Sequence, residues 1–149
     1  MEKEQIIRGL NLPTQQVREF HEAFGHPVGK RISKLTPDRV AARTEWLREE
    51  VEELHEATNV KDQLDACLDI IYFAAGTLVE MGIKDPQKYF DIIQGCNMAK
   101  LGPDGKPIYR ESDGKIVKPE GWVGPDKLLE EELTRDMTKD YESIKASKE

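Results

Sequence analysis

The chain has 149 residues, 38% of them hydrophobic, and a formal net charge of −7. This length supports one sizeable core, so we expect a single domain over residues 1–149. The acidic balance argues against nucleic-acid binding, which draws mainly on clustered Lys and Arg. No uncharged apolar stretch reaches membrane-spanning length, and residues 1–10 lack the apolar core of a signal peptide. We therefore expect a soluble, cytoplasmic protein without a membrane partner.

The spacing of apolar residues predicts an all-α fold with four main helices in residues 13–100. The segment Leu12-Pro13-Thr14 opens the first helix, and Gly25 followed by Pro27 ends it. The second begins after Thr36, a residue type that caps helices, and has Pro37 at its first position. It carries one narrow apolar seam, formed by Val40, Thr44, Leu47, Val51, Leu54 and Thr58.

The third helix follows a tight break at residues 59–62 and runs to Met81, with Gly82 beyond its end. So short a connection predicts that the second and third helices are antiparallel neighbours in a helical bundle. Cys67 and Cys96 lie in apolar helical contexts, and we expect both in the core as thiols. One side of the third helix is also assigned to the core, with Leu64, Leu68, Ile71, Ala75 and Leu78.

A fourth helix is predicted from Asp85-Pro86 to about Lys100. In residues 101–126 glycine and proline recur at short intervals, which is typical of a loop. Within this loop, Asp113-Gly114 between two short apolar segments predicts a β-hairpin. A terminal helix is expected over residues 127–149. Four main helices leave apolar surface for a second chain to cover, so we expect a homodimer or a dimer of dimers.

Asp69 is a carboxylate in the middle of residues 64–79, a run otherwise suited to a buried helix. Burying an unpaired carboxylate is costly, so either a metal ion or a basic partner is expected. Asp65 lies four residues earlier, on the same face. The second helix adds a stripe of three carboxylates at the edge of its seam, Glu49, Glu50 and Glu53. Two acidic helix faces that meet predict a metal site, and Mg²⁺ prefers such oxygen ligands.

Other interpretations of these residues stay open. A run of glutamates on a helix is usually a solvated face, and Arg43 or Arg48 would serve as a structural partner for Asp69 in place of a metal. Trp46 lies on the acidic stripe, where it either stacks on a nucleobase or packs a helix crossing. His21 lies on the inward face of the first helix, where a core histidine is more frequent than a base contact.

Several segments together form a recognisable pattern. They are residues 48–54 (REEVEEL), 65–72 (DACLDIIY) with Gly76, 97–101 (NMAKL), 17–25 (VREFHEAFG) and 105–110 (GKPIYR). This pattern resembles the all-α nucleoside triphosphate pyrophosphohydrolases, a superfamily that includes MazG-like, dimeric dUTPase-like and phosphoribosyl-ATP pyrophosphohydrolase-like proteins. The resemblance covers residues 13–126.

The resemblance implies that an EExxE motif and a following ExxD motif hold Mg²⁺, with Mn²⁺ as a substitute. Asp69 matches the last residue of the second motif. Its first position falls on Ala66, which cannot ligate, and we assign that role to the adjacent Asp65. The departure leaves the number of metal ions open. The implied metal ligands are therefore Glu49, Glu50, Glu53, Asp65 and Asp69.

The reaction that the resemblance implies is attack of water on the α-phosphorus of a (deoxy)nucleoside triphosphate, giving the monophosphate and pyrophosphate. Glu49 or Glu50 would orient or deprotonate the water. Substrate contacts are expected from His21, Trp46, Asn97, Lys100, Tyr109 and Arg110. Two alternatives remain: hydrolysis of a phosphoribosyl-linked or modified nucleotide, and a non-catalytic helical module whose acidic face binds a basic partner.

Overall fold

The computed structural model describes residues 9–148, and this part of the chain contains five α-helices and no β-strand. The all-α prediction and the order of the helices are confirmed. Over the same residues, none of the helices combines the length and the apolar character needed to cross a membrane. The helices are α1 (Asn11–Phe24), α2 (Pro37–Glu56), α3 (Val60–Glu80), α4 (Pro86–Met98) and α5 (Asp126–Ala146).

Local signals set most helix ends. Gly25 follows α1 in the left-handed conformation, with φ of 70°. Pro37 occupies the first turn of α2, as predicted. The third helix begins at Val60, inside the predicted break, because the Asn59 side chain accepts a hydrogen bond from the Asp62 backbone N–H at 2.9 Å. Asn59 is therefore the N-terminal cap of α3.

The chain divides into two compact units, the first ending at Pro86 and the second covering Gln87–Ser147. In the first unit, α1 and α2 each pack on α3. Its innermost residues are Val17 of α1 with Ala75 and Val79 of α3. The prediction of one domain over residues 1–149 stays a prediction.

The connector between α1 and α2 is fastened to the end of α3. The backbone N–H of Gly29 donates to Val79 O at 2.9 Å, and that of Ser33 donates to Met81 O at 3.0 Å. A Cβ atom at position 29 would lie 2.5 Å from Glu80 O, so only glycine fits this close backbone contact. The connector thereby fixes the position of the α2 start relative to α3.

The face of α3 that we assigned to the core is largely exposed in this chain. Leu64, Leu68 and Ile71 are 57%, 54% and 48% exposed, and the predicted seam of α2 is likewise exposed at Val40 and Val51. The buried residues of α3 are instead Ala66, Ala75, Gly76, Val79 and Glu80, so the core assignment of Ala75 is confirmed. Periodicity identified the apolar spacing of these residues without showing which face of α3 packs inside the chain. Cys67 lies on the exposed side, which corrects its core assignment, whereas Cys96 is buried as predicted.

In the second unit, Asp136 of α5 accepts hydrogen bonds from Lys88 Nζ at 2.7 Å and from the Tyr89 hydroxyl at 2.5 Å, both on α4. The Trp122 indole N–H donates to Cys96 O at 2.8 Å, and this bond attaches the loop between α4 and α5 to α4.

The predicted β-hairpin is not supported. The described loop between α4 and α5 holds only two isolated antiparallel bridges, Leu101 with Pro107 and Tyr109 with Ile116. Pro107 has no N–H to extend a ladder, and each paired segment is too short to form a strand. The chain does reverse direction near Asp113-Gly114, where Gly114 N–H donates to Arg110 O at 2.8 Å.

Candidate active site

Three carboxylates converge where α2 and α3 run side by side. Glu50 and Glu53 come from α2 and Asp69 from α3, and one oxygen of each lies within 4.8 Å of the others. Their spacing on α2 puts both glutamates on one face, and the short turn before α3 brings Asp69 opposite them. Among the described residues, no Lys or Arg forms an ion pair with this group, which we call the acidic cluster.

Burial and mutual repulsion raise the affinity of the acidic cluster for protons. Burial is the largest effect on Glu50, followed by a hydrogen bond and charge from Glu53 and the charges of Asp69 and Asp65, and together they raise its pKa to about 7. Burial, Asp65 and Glu53 also raise the pKa of Asp69. Within the described residues, Oε2 of Glu50 is buried and has no hydrogen-bond partner. A divalent cation would satisfy that oxygen and relieve the repulsion, so the donor set fits a hard metal ion.

The remaining predicted ligands lie outside this group of three. Glu49 is exposed on α2, and Asp65 is exposed on α3. Asp65 nevertheless acts electrostatically on the cluster, because its charge raises the pKa of both Glu50 and Asp69. Ala66, at the position where the related motif has its first acidic residue, is only 2% exposed.

An aromatic cavity of about 320 Å³ opens beside the acidic cluster. Its lining residues come from all three helices of the first unit and from the connector: Phe20, His21, His26, Arg43, Trp46, Tyr72 and Phe73. Trp46 precedes Glu50 by four residues, and Phe73 follows Asp69 by four, so cavity and cluster lie one helical turn apart on both helices, about 6 Å along each axis. The predicted residues His21 and Trp46 thus meet in one cavity.

A buried ion pair forms the polar end of this cavity. Glu80 of α3 accepts hydrogen bonds from Arg39 Nε at 2.7 Å and from Arg43 Nε, both on α2. The Glu80 side chain is 2% exposed and that of Arg43 5%. Burial alone would raise the pKa of Glu80, but the hydrogen bonds and charges of the two arginines outweigh it and lower that pKa. Glu80 is therefore an ionised carboxylate whose role is to bind the two arginines of α2.

Arg43 also fixes the state of His21. The arginine Nη2 lies 3.2 Å from His21 Nε2, and His21 Nδ1 lies 2.8 Å from Pro27 O. An arginine only donates, so Nε2 accepts and the ring proton is on Nδ1, directed at the carbonyl. Burial first, and then electrostatic interactions with Arg43 and His26, lower the pKa of His21. The imidazole is neutral at the edge of the cavity.

Gly76 makes room for this arrangement. A Cβ atom there would lie 2.8 Å from Arg43 Nη1 and 3.0 Å from His21 Nε2. Because Glu80 holds the guanidinium in place, Arg43 has little freedom to move aside. Because position 76 has no side chain, Arg43 and His21 can pack directly against the α3 backbone.

The structure does not support the alternative in which Arg43 or Arg48 pairs with Asp69. Arg43 binds Glu80 instead, and Arg48 pairs with Glu45 at 3.4 Å on the exposed face of α2. Sequence reasoning overlooked Glu80, although Arg39 and Arg43 lie four residues apart on α2 and would share a face.

Four predicted substrate contacts lie in the second unit. Asn97 Oδ1 accepts a hydrogen bond from Lys100 Nζ at 3.0 Å, and that ammonium also lies 5.4 Å from the centre of the Trp122 ring. Tyr109 is 60% exposed. Arg110 donates to Asp113, with Nε to Oδ1 at 2.9 Å.

The chain is similar to a known protein family, to a solved structure and to a viral protein. The family model described as phosphoribosyl-ATP pyrophosphohydrolase matches residues 17–97. The chain is similar to a solved structure from Exiguobacterium sp. 255-15, named a "putative NTP pyrophosphohydrolase", with 35% identity, 85% of this chain and 96% of that chain covered, and a TM-score of 0.50. It is also 40% identical over 76 residues to the uncharacterized protein L479 of Acanthamoeba polyphaga mimivirus. That alignment covers 46% of this chain and 30% of the viral protein.

Proposed function

We propose a specific reaction for this chain, which belongs to the phosphoribosyl-ATP pyrophosphohydrolase family and is a hydrolase of pyrophosphate bonds. The proposed reaction is Mg²⁺-dependent cleavage of a (deoxy)nucleoside triphosphate between its α and β phosphates. The observation that carries it is the acidic cluster one helical turn from an aromatic cavity. A nucleotide needs both features, a cation site for its phosphates and a flat apolar site for its base.

The metal-binding role is proposed for Glu50, Glu53 and Asp69, with Asp65 as a further ligand. The orphaned Glu50 oxygen and the lack of an ion pair at these carboxylates in residues 9–148 support it. A bound divalent cation supplies positive charge to the phosphate oxygens and lowers the pKa of a water ligand. All donors are carboxylate oxygens, which suits Mg²⁺, with Mn²⁺ as a substitute.

A base for the attacking water is proposed on α2. Glu49 and Glu50 are the two candidates, and Glu50 belongs to the group of three converging carboxylates. Glu49 lies outside that group, so its carboxylate is free to orient or deprotonate water. We therefore assign the metal-binding role to Glu50 and the water-activating role to Glu49.

The nucleobase is proposed to occupy the aromatic cavity. Trp46 and Phe73 provide ring faces, with centroids 6.1 Å apart, beside the neutral imidazole of His21. Aromatic faces stack on any base, and the Arg43 guanidinium at the cavity wall offers donors to base oxygens or nitrogens. Roles for the second unit rest on the family pattern: Asn97, Lys100, Tyr109 and Arg110 are proposed to contact the sugar and phosphates.

Self-association is proposed as well. Leu64, Leu68 and Ile71 on α3 and Val51 on α2 are exposed apolar residues, which a second copy of the chain would cover. A homodimer or a dimer of dimers is consistent with closed symmetry, in which the same patch meets itself.

One alternative substrate has specific support. The matched family model is described by its action on phosphoribosyl-ATP, a nucleotide that carries an extra phosphoribosyl group. The same acidic cluster would serve that reaction, since the bond cleaved is again a phosphoric anhydride. The two substrates differ in the group that must fit the 320 Å³ aromatic cavity.

The test is pyrophosphate release from a panel of ribo- and deoxynucleoside triphosphates and phosphoribosyl-ATP, with Mg²⁺, Mn²⁺ or EDTA. We expect metal-dependent pyrophosphate with an equal amount of monophosphate. Asp69→Asn and Glu50→Gln should abolish it, whereas Glu52→Gln, which removes an exposed carboxylate of the same α2 run, should retain it. Full activity in both site variants would refute the catalytic role of the acidic cluster. No pyrophosphate release from folded, metal-loaded protein would refute the proposed reaction.

A further inference from the structure

A second cavity, of about 230 Å³, lies on the other side of α1. It is formed by the first two turns of α1 and by the residues that follow α3: Asn11, Thr14, Gln15, Arg18, Ile83 and Lys84. Arg18 and Phe20 are two residues apart, so their side chains leave α1 in directions about 160° apart. The second cavity is therefore distinct from the aromatic cavity, to which Phe20 belongs.

Arg18 is the most unusual group in this second cavity. Its Nη2 is buried and, within the described residues, has no hydrogen-bond partner. A guanidinium nitrogen removed from water without an acceptor is costly, because cation hydrogen bonds are among the stronger ones in proteins. The position is energetically reasonable when a ligand supplies an acceptor.

The other polar groups of the cavity divide into engaged and unengaged ones. The Thr14 hydroxyl donates to Leu10 O at 2.8 Å, and the Asn11 amide donates to Asp85 Oδ1 at 2.9 Å. The side chains of Gln15 and Lys84, by contrast, are exposed at the cavity and form no hydrogen bond or ion pair with other residues in the range 9–148. The cavity therefore offers a guanidinium, an ammonium and an amide as donors.

We propose that this second cavity binds a phosphate group, free or carried by a small organic molecule. Arg18 would donate from the buried end and Lys84 from the open end, and two cations match the charge of a phosphate near neutral pH. The cavity volume of about 230 Å³ leaves room for a small substituent beside the phosphate. This site is independent of the acidic cluster and of the reaction proposed above.

The experiment measures binding of inorganic phosphate and of ribose 5-phosphate to the full-length protein by isothermal titration calorimetry. EDTA is present throughout, because without a divalent ion the acidic cluster repels phosphate. The variants are Arg18→Gln, Arg18→Lys and Lys84→Gln. Arg135→Gln is the matched control, since it removes an arginine that is 59% exposed on α5. Far-UV circular dichroism checks that each variant is folded.

We expect saturable binding to the wild-type protein, weakened about tenfold or more by Arg18→Gln, which corresponds to about 1.4 kcal/mol. Arg18→Lys should restore part of the loss, Lys84→Gln should weaken binding by a smaller factor, and Arg135→Gln should have no effect. Tighter binding of phosphate or of ribose 5-phosphate identifies which form the cavity prefers. Equal affinities of the wild type and Arg18→Gln, or the absence of saturable binding, would overturn the proposal. Loss of binding in Trp46→Ala would place the phosphate at the aromatic cavity and would overturn it too.

Discussion

Replacing Glu80 with Gln should destabilise the protein by about 3 kcal/mol. The substitution keeps the side-chain volume but leaves the buried guanidinium of Arg43 without a counter-charge. Removing one partner of a buried ion pair typically costs about 3–5 kcal/mol, and Gln retains one acceptor oxygen, so the lower end applies. The side chain of Arg39 is 30% exposed, and the loss of its pair adds at most about 1 kcal/mol because water screens it.

The assay is urea unfolding followed by circular dichroism at 222 nm. For a chain of this length, about 3 kcal/mol also corresponds to a melting temperature lower by roughly 6–12 °C. Glu45→Gln is the control, because Glu45 and Arg48 form an exposed pair whose loss should change the free energy of unfolding by less than about 0.5 kcal/mol. A change below about 1 kcal/mol for Glu80→Gln, with an unaltered urea dependence, would refute the buried ion pair.

The same comparison has a predicted pH dependence. Burial would raise the pKa of Glu80, but Arg39 and Arg43 outweigh it and hold the pKa below its ordinary value of 4.5. A carboxylate whose pKa is lower in the folded state contributes stability that is present above the unfolded pKa and is lost as the pH falls through the folded pKa. The stability gap between wild type and Glu80→Gln should thus be full at pH 7 and shrink below about pH 4.5. A gap that stays constant down to pH 3 would contradict this reasoning.

Three further predictions concern the other features of the first unit. Gly76→Ala should lower the free energy of unfolding by about 1–3 kcal/mol because its Cβ atom meets Arg43. Gly95→Ala, on α4, meets open space and should raise the free energy of unfolding by about 0.5–1 kcal/mol. Urea unfolding of both variants tests this difference. Glu50→Gln should stabilise the metal-free protein in EDTA at pH 8 and have little effect at pH 4. The pKa of Glu50 in the folded protein is raised to about 7, so the wild-type protein loses stability as the pH rises from the ordinary Glu value of 4.5 to about 7. Trp46→Ala should raise the KM for the nucleotide about tenfold with an unchanged circular dichroism spectrum, and an unchanged KM would place the base outside the aromatic cavity.

The helices were predictable because their ends depend on local chemistry. Pro37 and Gly25 act on their own turns, and no distant residue is needed to recognise them. The meeting of Glu50 with Asp69 was also within reach of sequence reasoning. Spacing put each carboxylate on one helix face, and the short connection between the helices left few ways to pair those faces.

Features that depend on how helices pack could not be predicted in the same way. The contact of Arg43 with Glu80 joins residues 37 positions apart, and it requires the register of α2 on α3. The aromatic cavity likewise needs side chains from three helices at once. Periodicity placed Leu68 in the core, yet Leu68 is 54% exposed although it satisfies the same pattern as a core leucine. Sequence spacing cannot distinguish an apolar face that packs inside the chain from one that stays exposed in it.

Two acidic residues of α3, the half-buried Asp69 and the buried Glu80, lie in opposite electrostatic environments on one helix face. Asp69 and Glu80 are 11 residues apart, about three helical turns, and so lie on the same face. At the Glu80 end, α2 presents two arginines, and the carboxylate pKa is lowered. At the Asp69 end, α2 presents two glutamates, and the carboxylate pKa is raised. The first arrangement holds α2 against α3 without any ligand. The second opposes that packing through the mutual repulsion of its carboxylates, and under the proposed function a bound cation would remove that repulsion.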